Sequence, residues 1–195
     1  MKKQQDSRLE AMFSHGVDPV ERTVYLMHGE EGAGYVCGAL AALGVTGLRY
    51  LDTTDGGINV VLNSVGGDDY CMLAIYDAIR CCRNEVTVTV YGSAFSAGCF
   101  ILQAADRRVM MPNATLMAHF GSAGIHDNSP NIARFSDEVT RMAKTYTRVL
   151  LAKIQEKVPT MTQRKLSRLL MTDWYMDAET AIGYGLADEI YGGKQ

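Results

Sequence analysis

Val86-Thr-Val-Thr-Val-Tyr-Gly-Ser-Ala-Phe-Ser-Ala-Gly-Cys-Phe-Ile-Leu102 decides the fold. Val86 to Tyr91 is a β-branched run of the strand type, and Ser96 to Ala104 reads as a helix. Between them lies a turn of small residues. A strand that hands over to a helix in this way is half of a β-α unit, and the rest of the chain repeats the rhythm.

Working outward, Val24 to Met27, Ile58 to Asn63 and Arg108 to Met111 also read as strands, and Tyr70 to Arg83 as a helix after a glycine-containing turn. The alternation predicts an α/β fold with parallel pairing. Pro130 to Lys157 carries Ile132, Phe135, Val139, Met142, Tyr146, Val149, Leu150 and Ile154 at three- and four-residue steps, which predicts one long amphipathic helix. Ser129 is placed to cap it, and Pro130 suits the first turn, where a missing N–H costs nothing. At 1.5 Å per residue it extends about 40 Å, more than a domain of this size needs, so it is expected to project and pack on a partner subunit. Thr162 to Met171 and Asp177 to Tyr184 read as short helices, the second capped by Asp177, and Ala187 to Tyr191 as a closing strand.

The 195 residues, 47% hydrophobic and 21% charged, suffice for one sizeable core. The expected organisation is a polar segment over residues 1–21 and a single domain over 22–195. A net charge of -3 provides no broad basic surface for nucleic acid or an anionic membrane, and neither partner is expected. Met1 to Glu10 lacks the apolar core of a signal peptide, and no apolar run reaches the roughly 18 residues of a membrane span. Five cysteines without paired C-x-x-C spacing argue against disulfides and zinc. The expected location is a cytosol, of a bacterium or of a phage-infected host.

The turn before the second half of that first stretch places the Ser96 hydroxyl where a helix presents unpaired N–H groups, a setting that favours an alkoxide or a tetrahedral oxyanion. A serine at a helix start is also a common N-cap, so this segment alone leaves both readings open. Upstream, Ile58 to Asn63 runs into Ser64-Val-Gly-Gly67, and the N–H of Gly67 with that of Ala97 makes a candidate two-donor oxyanion hole. The alternative is a turn that needs glycine. A phosphate loop is disfavoured, because Asp68 and Asp69 follow where Lys and Ser/Thr belong. Of His15, His28, His119 and His126, His119 is the candidate base, since it follows the apolar strand Thr115 to Ala118. Asp173, between apolar neighbours, is the candidate acid, with Asp177 and Asp188 as alternatives more typical of a cap or turn.

Taken together, these residues resemble the ClpP family of serine peptidases from about Arg22 to Tyr191. Asn63-Ser-Val-Gly-Gly67 is similar to the family's N-S-P-G-G, Ala74-Ile-Tyr-Asp77 to A/S-I-Y-D, and Gly92-Ser-Ala-Phe-Ser-Ala-Gly98 to G-x-A-A-S-M-G. Met117-Ala-His119 is similar to M-I-H, and Asp173-Trp-Tyr-Met-Asp-Ala178 with Glu179 to Asp188 to D-x-F-L/M-S-A-x-E-A-x-x-Y-G-L-x-D. The resemblance implies a crotonase-like fold with a long handle helix at about residues 130–157. It implies Ser96, His119 and Asp173 as nucleophile, base and acid, and Gly67 and Ala97 as oxyanion donors. It further implies a homo-oligomer of two stacked heptameric rings, an AAA+ unfoldase that feeds in unfolded polypeptide, and no cofactor or metal in the peptidase itself. Val65 stands where the family has proline, Thr172 and Trp174 flank Asp173 where the family carries an arginine, and Gly121 to Pro130 departs from the family's glycine-rich strand. These departures suit a divergent or phage-encoded member. The alternatives are a phage capsid-maturation protease, a crotonase-type acyl-CoA enzyme and a non-catalytic ring subunit. The full Ser/His/Asp set counts against the last two.

Overall fold

A computed structural model describes residues 16–27 and 35–192, together with Arg8 and Glu10. Its centre is a sheet of eight strands: β1 (Val17–Asp18), β2 (Thr23–Leu26), β4 (Ile58–Ser64), β6 (Val86–Phe95), β7 (Arg107–Met110), β8 (Thr115–Ala118), β9 (Trp174–Met176) and β10 (Glu189–Ile190). The path runs β1-β2-β4-β6-β7-β10, with β8 and β9 branching from β6. Every pairing is parallel except β1 with β2 and β8 with β9. The α/β expectation and the mainly parallel sheet are thus met. The sheet also takes in Val17 and Asp18, upstream of residue 22.

β6 holds the sheet together because it changes neighbours along its length. It keeps β4 on one side, while on the other its first half pairs with β7 and its second half, Ser93 to Phe95, with β8. The change occurs at Gly92, whose φ of 76° bends the strand, and the Asn63 side chain secures the bend by accepting from the N–H and hydroxyl of Ser93. Val86, Val88 and Val90 alternate inward with Ile58, Val60 and Leu62 of β4. Phe100 fills the space beneath, fully buried between the rings of Tyr76 (4.6 Å) and Tyr146 (5.4 Å).

Three helices follow the sheet edge to the site: α1 (Gly38–Leu51), α2 (Asp69–Arg80) and α3 (Ala97–Leu102). α1 had no counterpart among the expected elements. Its glycines are packing surfaces, not breaks: a Cβ at Gly47 would stand 2.7 Å from Val17 Cγ2, and one at Gly44 3.0 Å from Leu26 Cδ2. α2 begins one residue earlier than expected and ends three earlier. A two-stranded sheet of β3 (Tyr35–Val36) and β5 (Gly66–Gly67) lies beside them.

The long helix is α4, Ser129–Lys157, and the structure corrects its cap: Asn128 Oδ1, not Ser129, accepts the first free N–H, from Asn131 at 3.1 Å. Ser129 and Pro130 instead form the first turn. Residues 129–141 include no buried side chain, whereas Met142, Tyr146, Leu150 and Ile154 are buried against the body. The helix therefore projects for its first three turns. α5 (Gln163–Leu169) and α6 (Ala178–Gly183) complete the chain, and Asp177 caps α6 by accepting the Thr180 N–H, as its position suggests.

The Gly185-Leu-Ala-Asp188 turn is locked to β7 by Arg108, which is 5% exposed. Its guanidinium donates to Gly185 O, to Gln103 Oε1 and to the Asp188 carboxylate. Burial raises the Asp188 pKa, but these bonds outweigh it and hold the carboxyl below its usual range. Among the described residues no helix is long and apolar enough to cross a membrane.

Candidate active site

Ser96 lies between the end of β6 and the start of α3, with φ 52° and ψ −112°. A non-glycine residue at positive φ is held there by its surroundings, at a cost of about 1–3 kcal/mol. Here the Ser96 N–H donates to Met117 O at 2.8 Å, tying the turn to β8, while its carbonyl accepts from Phe100 N (3.2 Å) and the Tyr146 hydroxyl (3.5 Å). Ser96 occupies the N-cap position of α3, but its side chain makes no capping bond. The cap reading left open by the sequence is therefore not what the hydroxyl does.

Two glycines bring β5 against this turn. A Cβ at Gly66, φ 99°, would lie 2.8 Å from Ser96 Cβ and 3.3 Å from Ala97 N. A Cβ at Gly67 would run into the Val36 backbone, 2.7 Å from its N. Asp68 donates its N–H to Val36 O, so in the alternation of a parallel ladder the preceding N–H, that of Gly67, faces away from β3. The Ala97 N–H stands first in α3, where no intrahelical partner exists. Gly67, Ala97, Ser96 and His119 all line one cavity of about 620 Å³. Gly66, whose role is steric, was not singled out by sequence; the double glycine was its only signal.

His119 directly follows β8, and Asp173 directly precedes β9. Because β8 and β9 run antiparallel with Ala118 opposite Trp174, the next step of the register sets His119 opposite Asp173. Their side chains meet, Nδ1 to Oδ1, at 2.9 Å. The other Asp173 oxygen accepts from the Tyr175 hydroxyl at 3.4 Å. Asp177 and Asp188, the alternative acids, are engaged elsewhere, in the α6 cap and with Arg108. His126 is exposed in the segment 121–128, which has no regular structure, and His15 and His28 lie outside the described residues.

Tyr146 was legible only as one apolar position of α4. It is buried, and that burial, followed by the neighbouring Cys99, pushes its pKa well up, while the His119 backbone pulls the other way. The buried hydroxyl thus reaches the backbone carbonyl of Ser96. Above the cavity, Glu138 of α4 accepts from Tyr70 (3.0 Å) and from Arg141 (2.7 and 2.6 Å), which holds its carboxyl down at about 2. This cluster ties the projecting helix to α2. No group of His, Cys, Asp and Glu suited to a metal occurs among the described residues.

A hydroxyl held in a strained turn, an oriented imidazole and two outward N–H groups around one cavity form an arrangement suited to acyl transfer. Comparison with known proteins points the same way. The family model described as Clp protease matches residues 34–194. The chain is 36% identical over 135 residues to an ATP-dependent Clp protease proteolytic subunit of Deinococcus radiodurans, a match covering 68% of this chain and 64% of that protein. It is 30% identical over 136 residues to the protein of the same name from Chlorella vulgaris, covering 69% and 65%. With an ATP-dependent Clp protease proteolytic subunit 1 of Streptomyces avermitilis it shares 32% identity over 163 residues, covering 83% and 70%. The match spans just under two-thirds of the length of the first two relatives.

Proposed function

This chain belongs to the Clp protease family, and from that premise we propose that it is a serine endopeptidase acting through Ser96, His119 and Asp173. The observation that carries the reading is the 2.9 Å contact between His119 Nδ1 and Asp173, which leaves Nε2 for a proton from Ser96 in the cavity they share. As Ser96 Oγ attacks a peptide carbonyl carbon, His119 Nε2 accepts the hydroxyl proton, and the carboxylate of Asp173 stabilises the imidazolium. The tetrahedral oxygen accepts from the N–H groups of Gly67 and Ala97, of a kind each worth about 3 kcal/mol in the transition state. Collapse breaks the C–N bond, and the imidazolium gives its proton to the leaving amine. Water then attacks the acyl-serine ester with His119 again as base. None of these steps uses a cofactor.

The proposed setting is a single peptidase domain over residues 22–195, with β1 just upstream paired to its sheet, in the cytosol of a bacterium or of a phage-infected host. Copies assemble as two stacked heptameric rings, and an AAA+ unfoldase threads unfolded polypeptide into them. Support for assembly comes from the first three turns of α4, which expose Ile132 and Val139 and include no fully buried side chain. Support for an ATP-driven partner comes from the relatives' names.

Hydrolysis of an unfolded protein such as casein, or of fluorogenic peptides, tests the activity. The expected result is turnover abolished by Ser96→Ala and by His119→Ala, and undiminished turnover in Ser96→Ala overturns the reading. Native mass spectrometry tests the assembly: a particle of fourteen subunits is expected, and a stable monomer contradicts it.

A further inference from the structure

Among the described residues, three that carry carboxylates line the cavity that holds Ser96, namely Asp68, Asp69 and Glu138, and no lysine or arginine does. Two of the three are already engaged. Asp68 Oδ1 accepts the Cys71 N–H at 2.8 Å as the cap of α2, and Glu138 is held by Arg141 and Tyr70. Asp69 has no hydrogen-bond or ion-pair partner among the described residues, although its field reaches both His119 and the enclosed Tyr146.

We infer that Asp69 makes this cavity selective for peptides with lysine or arginine at the residue whose carbonyl Ser96 attacks. The inference rests on the peptidase reading of the same site. Asp69 is exposed on the cavity wall, in the first turn of α2, so its carboxylate is open to a cation that enters the cavity. An exposed carboxylate with no cation beside it among the described residues attracts a substrate cation bound in the same cavity. The walls fit the rest of such a side chain. Met72, Phe135, Val139 and Met142 give apolar surface for its methylene stem, while its charged head turns to Asp69. An aliphatic side chain in the same place gains no such contact, and an acidic one is repelled.

The test uses the full chain and two diphenyl phosphonate probes, one with a lysine-like amine side chain and one with a leucine side chain, beside a fluorophosphonate without side-chain preference. With the phosphonates an Oγ–P bond forms as phenoxide leaves, which takes up the serine proton. The inference expects Ser96 to be labelled by the fluorophosphonate, and by the amine probe about tenfold faster than by the leucine probe. Asp69→Asn is expected to remove that ratio, Asp69→Glu to keep it, and Asp69→Lys to reverse it. Labelling of Ser96 by the fluorophosphonate with equal or faster reaction of the leucine probe overturns the inference and leaves the peptidase reading standing. A parallel slowing of both probes in Asp69→Asn also overturns it, because that is the signature of a field effect on His119. Failure of all three probes at Ser96 overturns the peptidase reading and the inference together.

Discussion

Gly66 and Ser96 are packed so closely that a Cβ on the first would stand 2.8 Å from the Cβ of the second. β5 therefore sets the position of the candidate nucleophile by contact, and the contact admits only glycine. Gly66→Ala must both strain a backbone at φ 99° and push Ser96 from its place. A displacement near 1 Å costs about 100-fold in rate, so peptidase activity should fall by that order with circular dichroism little changed. An alanine variant with full activity would show that the contact has no bearing on catalysis.

Asp173→Asn keeps the shape at His119 but removes the negative charge and offers an amide N–H to Nδ1. The expected loss in kcat is about 10⁴-fold, the figure known for the same change in another serine protease. Asp173 is half-exposed, so thermal stability should change little. Equal kcat for the two proteins would show that the 2.9 Å contact with His119 plays no part in the reaction.

Tyr146→Phe deletes the hydroxyl that reaches the Ser96 carbonyl while keeping the ring stacked on Phe100. Ser96 O retains the Phe100 N–H, so the expected loss of stability is about 1 kcal/mol by urea unfolding. A loss above about 3 kcal/mol would mean that the hydroxyl satisfies groups beyond these.

How much of this was legible in the sequence follows the range of the forces involved. Strands such as Val86 to Val90 and the amphipathic face of α4 are local patterns, and they were read correctly in kind. Ser96, His119, Gly67, Ala97 and Asp173 could be named because small residues at a strand-to-helix turn and a histidine at a strand end are local signals, strengthened by a family resemblance. α1 was missed because Gly44 and Gly47 look like breaks until Leu26 and Val17 are seen packed on them. The Asn128 cap differs from the expected Ser129 by one residue, a choice that side-chain geometry makes and spacing does not. The meeting of His119 with Asp173, 54 positions apart, depends on the β8–β9 register, and Gly66 and Tyr146 depend on contacts across the sheet. No local pattern carries these.

Acid should loosen the fold through two part-buried contacts. Asp18 is drawn up by burial but held lower by Arg8 and by the N–H groups of Glu21 and Val20, and Asp188 behaves likewise with Arg108. Both folded pKa values lie below the unfolded value near 3.9, so their contribution is present above about pH 4 and lost as pH falls through the folded values. The urea midpoint should hold between about pH 7 and 5 and fall below about pH 4, with a shallower fall in Asp188→Asn. A midpoint unchanged down to pH 2.5, or an unaltered slope in that variant, would contradict this.

The most direct test is a fluorophosphonate adduct mapped by mass spectrometry on the intact protein. The expected result is a single modified serine, Ser96, with labelling lost in Ser96→Ala and strongly slowed in His119→Ala. An adduct at another serine, with Ser96→Ala still hydrolysing peptides, would contradict the assignment of Ser96 as nucleophile.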